Sequence, residues 1–244
     1  MLKIAFAGNP NVGKTALINE IAGSKLKVGN WPGVTVEKKE AQFTYENEEI
    51  FLIDLPGVYS LSPYSNEEII TRDYIINENP DLIINVVDAT NLERNLYLTA
   101  LLKELGKPMI IALNLYDEFK KLDYRLDEKQ FEEFFGLNIV KTSARTREGL
   151  EDLLKKAIAM SKEKEKTNFK LHFNSTIDKE VEAIKKEISD KEEFEPVLEK
   201  LSLDYLAVKL LEEDKHLIDV LKNDYKISDV SFTNSYTTKL VKEY

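Results

Sequence analysis

Residues 3–22 read KIAFAGNPNVGKTALINEIA, and they decide the fold. The run KIAFA has the character of a buried strand, and TALINEIAG behind it has that of a helix. Between them, Gly8-Asn9-Pro10-Asn11-Val12-Gly13-Lys14-Thr15 fits the pattern G-x-x-x-x-G-K-[ST] in the strand-then-helix setting that the pattern requires. Its glycines let backbone N–H groups turn inward around a phosphate, and the helix dipole, from Ala16 onward, adds positive potential there. The loop predicts a nucleotide site in which Lys14 bridges β- and γ-phosphates and the Thr15 hydroxyl ligates Mg²⁺.

Outward from this loop, short β-rich runs alternate with helical patterns to about residue 160. FLID, LIINVVD, PMIIALN and NIVKTS read as strands, and SNEEIITRDYIINE, LERNLYLTALLKEL and GLEDLLKKAIAMS as helices. The expectation is an α/β phosphate-loop fold with a mostly parallel sheet of six to seven strands. One departure is VEKKEAQFTYENEEIFLID, whose two strands meet at the polar Glu46-Asn47-Glu48 turn, so an antiparallel hairpin is expected at one edge. Beyond the charged run KEKEK, read as a solvated continuation of the preceding helix, the patterns are helical. Ile177, Val181, Ile184 and Ile188 share a face, and further stripes follow in PVLEKLSLDYLAVKLLEED and HLIDVLK. The division is therefore 1–165 for the nucleotide-binding domain and 166–244 for a small all-α domain whose last stretch, SFTNSYTTKLVKEY, is frayed.

Composition narrows the function. A net charge of -10 with no uninterrupted basic block argues against nucleic acid as a partner, and the absence of cysteine removes disulfides and thiolate metal sites. No apolar run approaches the roughly 20 residues that span a bilayer, so the chain is expected to be soluble by itself.

A phosphate loop alone would serve ATP as well as GTP, and three further segments decide between them. Asp54-Leu55-Pro56-Gly57 ends the strand FLID, where the carboxylate holds Mg²⁺ and the Gly57 amide approaches a γ-phosphate. Asn114-Leu115-Tyr116-Asp117 ends PMIIALN, and the Asp117 carboxylate accepts from guanine N1 and N2, which adenine cannot donate. Ser143-Ala144-Arg145 ends the next strand, with the Ala144 N–H toward guanine O6. In this order the set resembles the five motifs of the translation-factor-related GTPases. In that resemblance the segment after the first helix is switch I, with Gly33, Val34 and Thr35, the last supplying a hydroxyl to Mg²⁺. Leu115 stands where most such GTPases have a lysine that packs on the base, which implies easy GDP release.

Trp31, the only tryptophan, lies four residues before Thr35. It reads either as the cap of a small apolar cluster or as part of a loop with two conformations, for which Pro32-Gly33 is suited. The stretch KLKVGNWPGVTVEKKEAQFTY after a GxPNVGKT loop resembles the cytosolic GTPase domain of the ferrous iron transport protein B family, and the helical remainder is similar to that family's GDP-dissociation-inhibitor-like domain. The resemblance implies a slow GTPase at the cytoplasmic face of the cell membrane. Its implied partners are a transport domain on the same or a partner polypeptide, small regulatory proteins and a second copy of the chain. It also implies K⁺ as a cofactor held by Asn11, although Asn11 equally suits a bracing role in the loop.

The residue after Gly57 is Val58, which cannot orient a water as the glutamine of many small GTPases does, so hydrolysis must use backbone groups, a side chain elsewhere or a partner; the resemblance implies Asn11, Lys14, Thr35 and Gly57 as the catalytic set. Arg72 and Arg145 are the arginines to be considered beside them, and His172 and His216 lack metal-ligand spacing. Two other functions fit parts of the sequence: a GTP/GDP-sensing module without meaningful turnover, and a ribosome-assembly GTPase, whose basic RNA-binding appendage is here replaced by an acidic one.

Overall fold

The structure, a computed structural model, describes residues 1–62, 64–163 and 175–228. The chain separates into two compact units, Met1–Phe169 and Lys170–Tyr244. The first is built on seven strands: β1 (Leu2–Gly8), β2 (Leu26–Asn30), β3 (Glu37–Tyr45), β4 (Glu48–Asp54), β5 (Leu82–Asp88), β6 (Met109–Asn114) and β7 (Asn138–Lys141). Helices α1 (Lys14–Ala22), α2 (Asn66–Asn77), α3 (Leu92–Glu104), α4 (Tyr116–Phe119), α5 (Glu128–Phe135) and α6 (Leu150–Glu163) connect or follow them.

The strand order is β2-β3-β4-β1-β5-β6-β7, parallel from β4 to β7 and antiparallel at β2–β3 and β3–β4. Burial explains the parallel part. Leu2, Ile4 and Phe6 of β1, with Leu82, Ile84 and Val86 of β5, face a core closed by Leu17 and Ile18 of α1 and Leu153, Ala157 and Ile158 of α6. The alternate residues Ala5, Ile53, Ile83 and Ile111 point the other way and are equally buried, with α3 packed against β5 and β1. Such two-sided burial is what continuous apolar runs like LIINVVD require.

The expected hairpin forms as β3 and β4, joined by Glu46 and Asn47 alone, with Tyr45 opposite Glu48. Both turn residues have positive φ, 48° and 67°, the combination that matches the twist of the flanking strands. The sheet carries one strand more than the sequence announced on this side: β2 pairs antiparallel to β3, so the outer edge is LKVGN and the hairpin lies one strand in.

In the second unit the described helices are α7 (Ser175–Ser189), α8 (Glu195–Leu198), α9 (Leu203–Leu211) and α10 (Lys215–Asn223). Val181, Ile184 and Ile188 form the buried stripe of α7. The single stripe expected across PVLEKLSLDYLAVKLLEED is divided into α8 and α9, because Ser202 caps α9 by accepting from the Tyr205 N–H at 3.1 Å. Most of KEKEK, His172 and the C-terminal stretch lie outside the described residues.

Leu17 is fully buried where α1 meets the sheet. Leu17→Ala is expected to destabilise the first unit by about 2–5 kcal/mol, the range for a buried leucine whose cavity does not collapse. A urea midpoint unchanged from the parent chain would mean that α1 is not clamped to the sheet as described.

Candidate nucleotide site

The parallel strands all end on the same side, and their carboxyl ends carry Gly8, Asp54, Asn114 and Lys141. That is where ligands bind open α/β sheets, because the loops diverge there and helices begin. Asn11 and Gly13 both adopt positive φ, 66° and 79°, a backbone form that turns successive N–H groups to one side as an anion nest. Gly13 is also the N-cap of α1 and gives it no side-chain cap, so the first N–H groups of the helix stay available to an anion.

Behind the nest, Lys14 and Thr15 meet Asp54. The Lys14 ammonium pairs with one carboxylate oxygen and donates to the Leu55 carbonyl at 2.5 Å, while Thr15 Oγ1 donates to Asp54 Oδ2 at 2.9 Å. Lys14 and Asp54 are both buried. Asn9, Pro10, Asn11, Gly13, Lys14, Thr15, Ala16 and Gly57 line one pocket of about 360 Å³. Gly57 fits there for a steric reason: a Cβ at this position would stand 3.1 Å from Pro10 Cα, so a larger residue would press on the phosphate loop. The Leu55 N–H donates to the Phe6 carbonyl at 3.0 Å and the Val58 N–H to Gly8 at 3.2 Å, fixing Asp54-Leu55-Pro56-Gly57 to β1. Val58 is buried, and its apolar side chain has no group that could orient water.

A second cavity of about 390 Å³ adjoins the first through Gly13 and Ala16 and is lined by Asn114, Leu115, Asp117, Ser143, Ala144 and Arg145. The two together are of the size that ligand sites usually have. The Ser143 hydroxyl first, and then the Arg145 guanidinium, holds the Asp117 carboxyl below the usual carboxylate range, against the opposing effect of burial. Asp117 is therefore an acceptor at neutral pH. Asn114 is fully buried and faces backward: its Nδ2 donates to the Val12 carbonyl at 2.9 Å, and its Oδ1 accepts from Thr142 Oγ1 at 3.4 Å. Leu115 holds a positive φ of 57°, and its Cδ2 lies 3.8 Å from where a Gly13 Cβ would stand. A side chain without charge thus reaches the phosphate loop at the position where the related GTPases use a lysine stem.

Several residues fall outside the expected set. Asn19, Glu20 and Glu118 also line the second cavity. Asn19 and Glu20 arrive there on the exposed face of α1, a signal that helical spacing from Gly13 contains but that no motif marks. Arg145 joins Asp117 and Glu118 rather than the phosphate pocket, and Arg72 is buried within α2. Gly33, Val34 and Thr35 sit on the loop between β2 and β3; Thr35 is exposed and does not line the phosphate pocket in this conformation. Among the described residues no cluster of three or more His, Cys, Asp or Glu side chains is placed to hold a metal, and no helix is long and apolar enough to cross a membrane.

Asn114→Ala removes the side-chain donor to the Val12 carbonyl, an expected loss of about 1–3 kcal/mol. Asn114→Asp keeps the volume and places an acceptor against that carbonyl, so it is expected to be at least as damaging. Urea unfolding in which Asp is tolerated and Ala is not would show that the side chain fills space here rather than donating.

Comparison with known proteins gives a concordant result. A family model described as ferrous iron transport protein B matches residues 2–157. The Fe(2+) transporter FeoB of Methanocaldococcus jannaschii is 44% identical over 99% of this chain and 35% of its own length. A fusion of Fe(2+) transport protein A with FeoB from Porphyromonas gingivalis is 44% identical over 89% of this chain and 26% of its own length. Among solved structures, the cytosolic domain of the T. maritima FeoB iron transporter in its GMPPNP form superposes with a TM-score of 0.85 at 36% identity, covering 99% of this chain and 93% of that one. The chain spans about a quarter to a third of the length of these curated relatives. With a phosphate-loop GTPase fold and a matching family model over 156 of its 244 residues, the chain belongs to the ferrous iron transport protein B family.

Proposed function

We propose that the chain binds guanine nucleotide and slowly hydrolyses GTP to GDP and phosphate, with K⁺ assistance, as the nucleotide-operated part of a ferrous iron membrane transporter. In this reading residues 1–165 form the nucleotide-binding domain and 166–244 the helical domain. The observation that carries it is the meeting of two half-sites at Gly13, one built from the phosphate loop and Asp54, the other from Asn114, Asp117, Ser143 and Arg145. The relatives of known structure include the FeoB cytosolic domain in GDP and GMPPNP forms, which supports a di- and triphosphate cycle here. A transport domain on the same or a partner polypeptide would receive the signal at the cytoplasmic face of the membrane.

The residues suit the chemistry as follows. Asp117 accepts from guanine N1 and N2, the Ala144 N–H donates to O6, and Leu115 covers the base with an apolar surface in place of a lysine stem. The nest N–H groups and the start of α1 hold the β-phosphate. Lys14 swings from Asp54 to the phosphates, neutralising charge as the terminal bond lengthens. Thr15 and Asp54, already joined through Oγ1 and Oδ2, are the oxygen ligands suited to Mg²⁺, which takes few protein ligands and shares the rest with phosphate and water; Thr35 would complete them. Bound there, Mg²⁺ would neutralise the phosphate oxygens, and K⁺ held at Asn11 would do the same where other GTPases use an arginine. The Gly57 N–H, fixed beside Pro10, is the backbone donor for the γ-phosphate. Because Val58 is buried and apolar, the attacking water would be held by backbone groups, a side chain elsewhere or a partner, and a slow intrinsic rate is expected.

Two experiments test this. GTP turnover by the chain in matched KCl and NaCl buffers with Mg²⁺ is expected to be faster in K⁺, and Asn11→Ala is expected to abolish the difference. Turnover at background in both salts, with guanine nucleotide still bound, would favour a sensing module instead. Asp117→Asn is expected to move base preference from guanine toward xanthine; undiminished GTP selectivity in competition binding would remove the base-site assignment.

A further inference from the structure

The guanine-nucleotide reading leaves Trp31 without a task, yet the structure gives it a built seat. The Trp31 N–H donates to the Val36 carbonyl at 2.9 Å, and the Val34 N–H to the Trp31 carbonyl at 3.3 Å. With Pro32 second and Gly33 third at φ 77°, residues 31–34 have the sequence and handedness of a type II turn. The switch I segment is thus the closed tip of the β2–β3 hairpin. The indole stands edge-on to Tyr74 of α2, ring centroids 5.5 Å apart and planes at 77°, and the Lys38 ammonium lies 5.5 Å over its ring. Thr35, on the same tip, is exposed and outside the phosphate pocket.

This seat is only partly satisfied. The indole N–H is buried and finds no acceptor among the described residues. Beside it the Tyr74 hydroxyl, pushed up to about 12 chiefly by burial, stays neutral and offers no fixed charge. A buried donor without an acceptor opposes the favourable ring contact, which leaves the seat weakly held, as a reversible contact has to be. The two partners also lie in the segments that must respond to a γ-phosphate. Trp31 precedes Thr35 by four residues, and α2 follows Gly57 through a short loop, its Thr71 hydroxyl donating to the Pro56 carbonyl at 3.3 Å.

We propose that Trp31 seated on Tyr74 is the resting latch of switch I: it holds Thr35 away from Thr15 and Asp54, and it must open before GTP is hydrolysed. The inference rests on the guanine-nucleotide reading above and adds a partner and a task to Trp31. Trp31 acts through Thr35, so it is a positioning residue, and it sets the ratio of triphosphate to diphosphate affinity rather than the strength of either base contact. Loss of one edge-on aromatic contact should shift that ratio about 2- to 10-fold toward the triphosphate.

As the only tryptophan, Trp31 reports on its own latch. In the 244-residue chain, emission is expected to be blue and shielded from acrylamide with GDP, and red-shifted and quenchable with Mg²⁺ and GMPPNP. Tyr74→Ala should give the red-shifted spectrum with either nucleotide and raise the GMPPNP-to-GDP affinity ratio by that factor, while Tyr74→Phe, which keeps the ring, should retain the parent's ratio. Nucleotide affinities are measured separately by calorimetry. If neither nucleotide binds, the function reading fails; if both bind and Trp31 emission and quenching are the same in both states, the latch alone is overturned. An unchanged affinity ratio in a folded Tyr74→Ala chain overturns it too, and if that variant does not fold, the parent's quenching contrast decides.

Discussion

The hydrogen bond from Asn114 Nδ2 to the Val12 carbonyl joins residues 102 apart in sequence, and the site depends on it. Without that bond the phosphate loop and the loop after β6 would be two neighbouring turns with independent freedom. With it, the end of β6 is fastened to the crest of the nest, and Thr142, donating to the same side chain, fastens the end of β7 as well. The bond is buried, where leaving it unmade is expensive, so the three strand ends move as one body. Gly13 follows from this constraint. A Cβ there would stand 2.5 Å from Asn114 Nδ2, and the backbone already needs φ 79°.

The same economy of space governs the side of the site where β4 ends. Gly57 lets the end of β4 touch Pro10, and the N–H groups of Leu55 and Val58 tie that crossing to β1. The acidic end of β4 therefore arrives at a fixed point, against Lys14 and Thr15. The cost is that the next side chain, Val58, is drawn into the core, where it supports the crossing but cannot take part in chemistry. In the proposed function such a site would rely on backbone groups where others use a polar side chain.

Much of this was legible in the sequence because the signals were local. Asp54 and Asn114 each end a strand dominated by apolar residues, Ser143 follows the short NIVKT, and the phosphate loop stands between an unmistakable strand and helix. The rest required partners distant along the chain. LKVGN has too few apolar residues to read as a strand and becomes one only because β3 offers it a ladder. Trp31 and Tyr74 are 43 positions apart, and nothing in either segment names the other. Arg145 could be recognised as a candidate arginine, but only the fold shows that it answers to Asp117 and Glu118. The split between α8 and α9 was visible as Ser202 but was outweighed by the apolar residues on both sides of it.

The place of β1 in the sheet has a consequence for biosynthesis. The central strand is made before either of its neighbours, β4 and β5, whose pairing residues are 50–54 and 82–86. At about 5–20 residues per second, the second edge of LKIAFAG finds no native partner until roughly 4 to 17 seconds of further synthesis have passed. During that interval an apolar strand presents one unpaired edge, a template to which another chain can pair.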